Sequence, residues 1–522
     1  MVILTHPYWI RIHDRQGRTI GDFTPYDLRL SQIPADVLVF KEGDYAVAVD
    51  GKTKEVIARS TDHAEVIQAS IDHVASQGGG KVYIDAGECD LGGKDVSLVG
   101  KSNIVVVGAG VGATIIKRGG FVKNDSGYTE NVVFAFMTVD GMNEVPRPFN
   151  FAENSKNFWL VGVHARNTKQ ALYWGGCSLK AVGCIFENLG TGDENMVMGH
   201  NPFDDDYALF AYNRFIYTLD SGTGGMLATG ATKDVIVVGN MFVDEHGVRY
   251  APLGFENSNG VITRVVVEKN VFINLGGTNK GINIGNKPDG NFSGSAIVKN
   301  NLFYLYKLNV KGFRRVEVEG NIFEKPAGYA INLDITDKAY AIIKSNVVYD
   351  PSEVNNEWPD NVAIYAYDWQ GEVIVEGNII VDTRDTPKMV NGIALGEARN
   401  LGAYEAIVKD NVILNGTGNG IKTGSNVNAL IRDNRSNMPA DISGKLYVNS
   451  GVAVFSGDGS TAQFKVEHGL VKAPSKVIVT PLSADAKDFA YAEADDTYIY
   501  FNFSTAPPSG TDNVKLAWYA EV

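Results

Sequence analysis

Residues 235–242 read VIVVGNMF, and the same phrase returns seven times. It appears as VVVEKNVF (265–272), AIVKNNLF (296–303), VEVEGNIF (316–323), AIIKSNVV (341–348), VIVEGNII (373–380), AIVKDNVI (406–413) and ALIRDNRS (429–436). Each copy is a short strand rich in β-branched residues, then two polar or small residues, an asparagine, and in most copies two apolar residues. The asparagines are Asn240, Asn270, Asn301, Asn321, Asn346, Asn378, Asn411 and Asn434, spaced 30, 31, 20, 25, 32, 33 and 23 residues apart. A fixed phrase at elastic spacing describes coils of constant cross-section carrying loops of variable length. Alternating apolar residues then point into the coil and stack as columns of Val, Ile and Phe. The asparagine suits a left-handed turn conformation, and its amide reaches the equivalent amide one coil away. Leucine-rich repeats, the rival solenoid, need leucines at fixed spacing and a helical segment per repeat, and neither is present. The reading is an all-β chain, a right-handed parallel β-helix of the pectate-lyase-like kind.

Weaker coils extend the pattern upstream through SNIVVVGAG, NVVFAFMTVD, NFWLVGVHARN and LKAVGCIFEN, so the solenoid runs from about Lys81 to about Asn449. Before it, Asp62 and Glu65 make a capping-box-like helix start, with Ala64, Ile67, Ile71, Val74 and Ala75 on one face and Gly78-Gly79-Gly80 as the stop. Such a helix would cover the open end of the first coil. Arg15-Gln16-Gly17 and Val49-Asp50-Gly51 mark hairpin turns. After the solenoid, alternating strands with Gly and Pro turns predict a small β-sandwich. Three parts are expected: a β lead-in over 1–60, the capping helix and solenoid over 61–449, and the sandwich over 450–522.

The chain has 522 residues, 47 basic and 61 acidic, for a formal net charge of −14. That field argues against nucleic acid as partner. The charge is uneven: residues 245–325 hold eleven basic residues against seven acidic ones, a local +4. This predicts a basic belt that focuses a polyanion onto one groove, against the plainer reading of a solvated face. Cys89, Cys177 and Cys184 lack metal-ligand spacing and read as small buried hydrophobes rather than a disulfide framework. The opening MVILTHPYWIRIHD shows no signal peptide, and no apolar run is long enough to span a membrane. GAGVGA (108–113) has no helix after it and is not read as a nucleotide loop.

GINIGNKPDG followed by KLNVKGFRRVEVEGNIF resembles the paired motifs of polysaccharide lyase family six, the family of alginate lyases and chondroitinase B. The likeness covers roughly residues 245–325. It puts Lys287 on the family's motif lysine, Lys311 on its arginine and, through GVRYAPLG, Arg249 on a further arginine. What the resemblance implies is β-elimination on a uronate-containing acidic polysaccharide, alginate-like first. Lys287 would be the base and Lys311 the second catalytic group, while Arg249, Lys280, Asn283, Asn309, Arg315, Tyr250 and His246 would bind substrate. Crowding by Lys280 and Lys311 would depress the pKa of Lys287. The family's two calcium-binding glutamates fall on Ile282 and Lys280, with Asn283 the one nearby oxygen ligand. No cofactor is therefore expected to be required, calcium stays possible, and Lys280 would stand in for its charge. Lysine for arginine at 311 also gives up the bidentate fork.

IRIHDRQGRTIGDF resembles the opening of some phage tail proteins. GDGSTAQFKVEHGL and APPSGTDNVKLAWYAEV resemble a module of phage-type and extracellular carbohydrate-active proteins, which implies carbohydrate binding or assembly. These flanks imply a virion-borne or extracellular protein, with a homotrimer possible. They keep a second chemistry open, a tailspike-like glycoside hydrolase with paired carboxylates. Asp334 and Asp337, Asp193 with Glu194, and Asp204, Asp205 and Asp206 are its candidates. His200 and His246 are candidate acids or bases, although lone histidines are more often structural. A third reading is a non-catalytic adhesin that only binds glycan.

Overall fold

The computed structural model describes residues 10–13, 19–23, 35–123, 127–145, 147–151, 155–168, 172–175, 177–189, 197–200, 207–217, 227–230, 234–245, 253–256, 263–276, 280–285, 294–326, 328–334, 338–352, 361–366, 370–396 and 404–522. Met1–Leu189 and Gly190–Val522 form two compact units.

In the second unit each coil carries three strands. One coil is Asp234–Val238, Met241–Asp244 and Leu253–Glu256, and the next is Arg264–Glu268, Val271–Asn274 and Lys280–Ile284. Every strand pairs in parallel with its counterpart one coil on, Val235 opposite Val265 and Phe242 opposite Phe272. Three parallel sheets result. The first holds the strands before the repeated asparagine, the second those after it, and the third closes the coil. This is the right-handed parallel β-helix.

The ladder asparagines stack as expected, beginning one coil earlier than the repeated phrase, at Asn213. Asn240 Nδ2 donates to Asn270 Oδ1 at 2.9 Å, and the Asn240 backbone N–H reaches the same oxygen at 2.8 Å. The second Nδ2 hydrogen goes to the Phe210 carbonyl at 2.8 Å. The pattern repeats to Asn434. Each interior amide thus uses both lone pairs and both hydrogens, which is what permits its complete burial.

One expectation is corrected. The left-handed residue is not the asparagine but the one before it: Gly239, Lys269, Asn300, Gly320, Ser345, Gly377, Asp410 and Asp433 all have φ between 54° and 65°. That preceding residue makes the corner and leaves the asparagine free to aim inward. Glycine recurs there because it meets no steric cost at that φ. Two residues after the asparagine, Phe215, Phe242, Phe272, Phe303 and Phe323 stack with centroids 4.5 to 5.0 Å apart. All five are completely buried.

The first unit opens with the antiparallel pair Ile10–His13 and Thr19–Phe23, the expected turn at Arg15-Gln16-Gly17 lying outside the described residues, and continues with the antiparallel strands Val37–Glu42, Tyr45–Asp50 and Val56–Ser60. Asp62 caps the helix His63–Ser76, accepting from the Ala64 and Glu65 backbones. The reciprocal capping-box bond is replaced by a relay, in which Ser60 Oγ donates to Glu65 and accepts from the Asp62 N–H. The helix covers the open edge of the first coil. Gln68 Oε1 accepts from Ser97 N at 2.7 Å, and His63 Nδ1 from Asp90 N at 3.0 Å. One edge donor of each of the strands Gly87–Asp90 and Asp95–Ser97 is thereby met without another strand.

After Val448 the strands turn antiparallel. Val448–Gly457, Gly510–Glu521 and Lys476–Pro481 form one sheet, and Gln463–Glu467, Tyr498–Phe503 and Phe489–Ala494 another. Ile499, Phe501, Val514, Leu516 and Trp518 pack between them.

Candidate functional site

Substrate for a solenoid must lie on an outer face, because the interior is filled. The third sheet of the second unit brings several of the expected residues together. Strand Lys280–Ile284 pairs with Tyr306–Lys311, which pairs with Ile331–Asp334. Ile282, Leu308 and Val310 are fully buried. Strand alternation then sends Asn283, Asn309 and Lys311 outward.

These outward residues form two rows. In one, Asn309 Nδ2 donates to Asn283 Oδ1 at 2.9 Å, and Asn332 Nδ2 donates to Asn309 Oδ1 at 3.1 Å. The Tyr329 hydroxyl donates to the same Asn309 oxygen, and Lys307 Nζ lies 4.5 Å above the Tyr329 ring centroid. In the other row Lys311 sits opposite Asp334, with Nζ 2.9 Å from Oδ2. Lys311 is 39% exposed and Asp334 23%, so the pair is reachable by a ligand.

Several expectations are altered. Lys280 is in register with Tyr306, five residues before Lys311. The two lysine positions are therefore about 16 Å apart along the strand direction at ~3.3 Å per residue. Their backbone positions are therefore not adjacent on this sheet. Arg315 is not on this face: it opens the next first-sheet strand, opposite Ser295 and Tyr340.

The basic belt is likewise dispersed. Arg264 and Lys299 lie on the first sheet, while Lys269 and Lys325 sit at corners. Many of these charges are already answered. Arg264 pairs with Asp234 at 3.1 Å and Lys269 with Glu268 at 3.3 Å, while Lys299 reaches Glu317 and Glu319 at 2.8 and 2.9 Å. Hydrogen bonding to Glu317 and Glu319 holds Lys299 above the ordinary lysine range. The described basic residues of the run thus stand on more than one face of the coil, several of them beside a carboxylate.

The donors at the family's calcium positions do not fit that ion. Ile282 points into the coil and is fully buried, Lys280 brings a cation, and Asn283 Oδ1 accepts from Asn309. Lys287, Arg249, Tyr250, His246, Asp337, Asp193, Glu194 and Asp204 to Asp206 lie outside the described residues, and the side chains of Lys280 and His200 do as well.

Tyr329 and Asn332 were not singled out from sequence. A signal for Asn332 exists: it follows Asn309 by 23 residues and Asn309 follows Asn283 by 26, spacings of the same size as in the buried ladder.

No protein-family model matches the chain. It is 41% identical over 78 residues to "Alginate lyase 7" of Azotobacter vinelandii, covering 14% of this chain and 8% of that protein. It is 38% identical over 95 residues to mannuronan C5-epimerase AlgE3 of the same organism, covering 16% of this chain and 5% of that protein. The chain spans less than a tenth of the length of the curated relatives it matches. Among solved structures, a tailspike protein of E. coli bacteriophage HK620 superposes with a TM-score of 0.49 at 15% identity, over 88% of this chain and 89% of that one. The tailspike protein gp49 of Pseudomonas phage LKA1 gives 0.45 at 10%, over 87% and 92%. The fold stands on the strand registers.

Proposed function

We propose that this chain is an enzyme acting on a polysaccharide and, more narrowly, a lyase that cleaves an alginate-like uronate polymer on the outer face of the third sheet. The observation that carries the reading is the Lys311–Asp334 pair beside the row Asn283, Asn309 and Asn332. A flat face with a fixed cation and spaced amides suits an extended acidic chain, whose carboxylates need charge-assisted donors and whose hydroxyls need amides. The stretches shared with proteins named for alginate lysis and mannuronan epimerisation support a substrate of that class.

β-Elimination breaks the C5–H bond, forms the C4–C5 double bond and breaks the C4–O bond to the leaving sugar. It needs the C5 carboxylate neutralised, a base at C5 and a proton for the departing oxygen. In this reading Lys311, an ammonium already donating to Asp334, neutralises the carboxylate rather than acting as base. Asn309, held by Tyr329, and Asn283 orient the ring. Lys287 remains the proposed base and Arg249 a second carboxylate binder, both on the family resemblance. A hydrolase would need a second carboxylate within about 5 to 10 Å of Asp334. Among the described residues of these three third-sheet strands, Asp334 is the one carboxylate.

The test is ultraviolet absorbance of unsaturated product with alginate, poly-mannuronate, poly-guluronate, pectate, chondroitin and hyaluronan, with and without EDTA. A rise with one polymer is expected. New reducing ends without absorbance would replace the lyase by a hydrolase, and glycan binding without either product would leave an adhesin.

A further inference from the structure

The outward row that carries Asn283, Asn309 and Asn332 continues beyond both ends of the candidate site. Before it stands Gly254, in register with Asn283, where an added Cβ would meet no atom within 4 Å. After it come Tyr365, opposite Asn332, then Ala394, Lys422 and Asp441, each one coil further on. Tyr365 and Ala394 face outward by alternation, because Ile364 and Ile393 beside them stack with Ile331 in the interior.

Exposure changes abruptly along the row. Asn283 is exposed and Asn332 half-buried, while Lys311 and Asp334 beside them keep 39% and 23%. Asn309, bonded to Asn283, Tyr329 and Asn332, keeps 8%. Tyr365 keeps 2% and Ala394 none. All residues of the strands Val362–Ala366 and Asn391–Leu395 are buried, those facing outward included. One coil later Lys422 is half-buried, and Asp441 after it is exposed. A tyrosine ring that points away from the coil loses its exposure only under other atoms of the protein, since Asn332 and Ala394 on either side are smaller than the ring. The face is thus open from Gly254 to Asn332 and obstructed over the next two coils.

We infer that this face is a groove closed at one end, and that the enzyme acts at the end of its polysaccharide and not within the chain. The inference rests on the cleavage reading of the Lys311–Asp334 site. The amide row and the Lys311–Asp334 pair both run along the coil axis, so a sugar chain that meets them runs the same way. It can extend past Gly254, where a side chain would find open space. In the other direction it meets Tyr365. Lys311 lies two coils short of that stop, about 10 Å at ~4.8 Å per coil, which holds a mono- or disaccharide. The interior of a polymer would have to turn off the sheet within that distance, and an end need not. The chemistry is the elimination already described, and the closed end decides which C4–O bond along the polymer is broken.

The experiment follows the viscosity of alginate and poly-mannuronate, and the size of the products, as the absorbance rises. Short products with nearly unchanged viscosity are expected. Gly254→Phe, whose side chain enters open space, should raise KM for polymer at least about tenfold and leave KM for the shortest oligomers cut near wild type. An early collapse of viscosity with products of many sizes would overturn the closed groove and leave the lyase reading standing. So would a Gly254→Phe chain that cuts polymer as wild type does. If no polymer is cut, the cleavage reading fails by itself, and calorimetry with alginate fragments of graded length judges the groove. Binding that counts chain ends supports it, binding that scales with polymer mass at every length overturns it, and no binding at all overturns both readings.

Discussion

Lys311 and Asp334 lie directly opposite each other on adjacent coils, Nζ to Oδ2 at 2.9 Å, though 23 residues separate them in sequence. The contact joins the second catalytic residue of the lyase reading to the leading residue of the hydrolase reading. Because both are partly exposed, the pair itself is worth at most about 1 kcal/mol of stability. Lys311→Ala and Asp334→Asn should therefore melt close to wild type. In the cleavage assay each should lose at least about tenfold in rate, the worth of one charge-assisted contact. A large fall in Tm with cleavage intact would make the pair structural.

The buried ladder should be far less tolerant. Asn321→Ala strips the acceptor from the Asn301 N–H and Nδ2 and the donors from the Val298 carbonyl and Asn346 Oδ1. With these groups buried, the cost should reach about 3 kcal/mol, read as a drop in Tm. Asn434→Ala, at the half-buried last rung, should cost less because water replaces the lost bonds.

The phenylalanine stack gives an apolar counterpart. Phe272 lies between Phe242 and Phe303 at 4.7 and 5.0 Å. Phe272→Ala should cost about 3 to 5 kcal/mol and Phe272→Leu distinctly less, because leucine leaves a smaller cavity. Chemical denaturation of the two variants checks the order.

Acid should loosen the lead-in hairpin. The Thr53 and Lys52 backbone N–H groups, both 2.8 Å from Asp50 Oδ1, hold the Asp50 carboxyl down at about 2, with His73 adding a bond at 3.2 Å. A carboxyl lowered on folding stabilises the protein above its unfolded pKa of about 4, and that contribution disappears as pH falls through the folded value. Asp50→Asn should thus melt below wild type at pH 7, with the gap closing between about pH 4 and pH 2. A gap that persists at pH 2 would mean that the loss is steric.

Burial pushes the Cys89 thiol up to about 11 and the Cys184 thiol up to about 12. Since the thiolate is the reactive form, neither should be labelled by a maleimide at pH 8 until the protein unfolds. Peptide mapping of labelled native and denatured chain distinguishes these two sites from Cys177.

The coil architecture was legible because its cause is local and repeated. A buried amide that must satisfy all of its hydrogen bonds finds the partner it needs in an identical amide one coil away, so asparagine returns with the same flanks whatever the loop length. The helix start at Asp62 was legible for the same reason, since a cap is made within four residues.

The sequence did not reveal which face an outward residue occupies or what stands beside it one coil on. The αL residue was misplaced by one, because asparagine and glycine both suit that conformation and only the stacked amides show which takes it. Lys280 and Lys311 looked like neighbours, and the register separates them by five residues. Lys299 belongs to the expected basic belt and Lys311 to the expected site, and each meets a carboxylate one coil away. Alternation places the middle residue of Met-Phe-Val and its successors inside, and the outer two face outward although they are apolar. Sequence by itself determined that the chain coils and which residues line the inside, because burial constrains side-chain type. Strand register decided the surface, since residues 20 to 35 apart become neighbours there and loops of unequal length hide which ones.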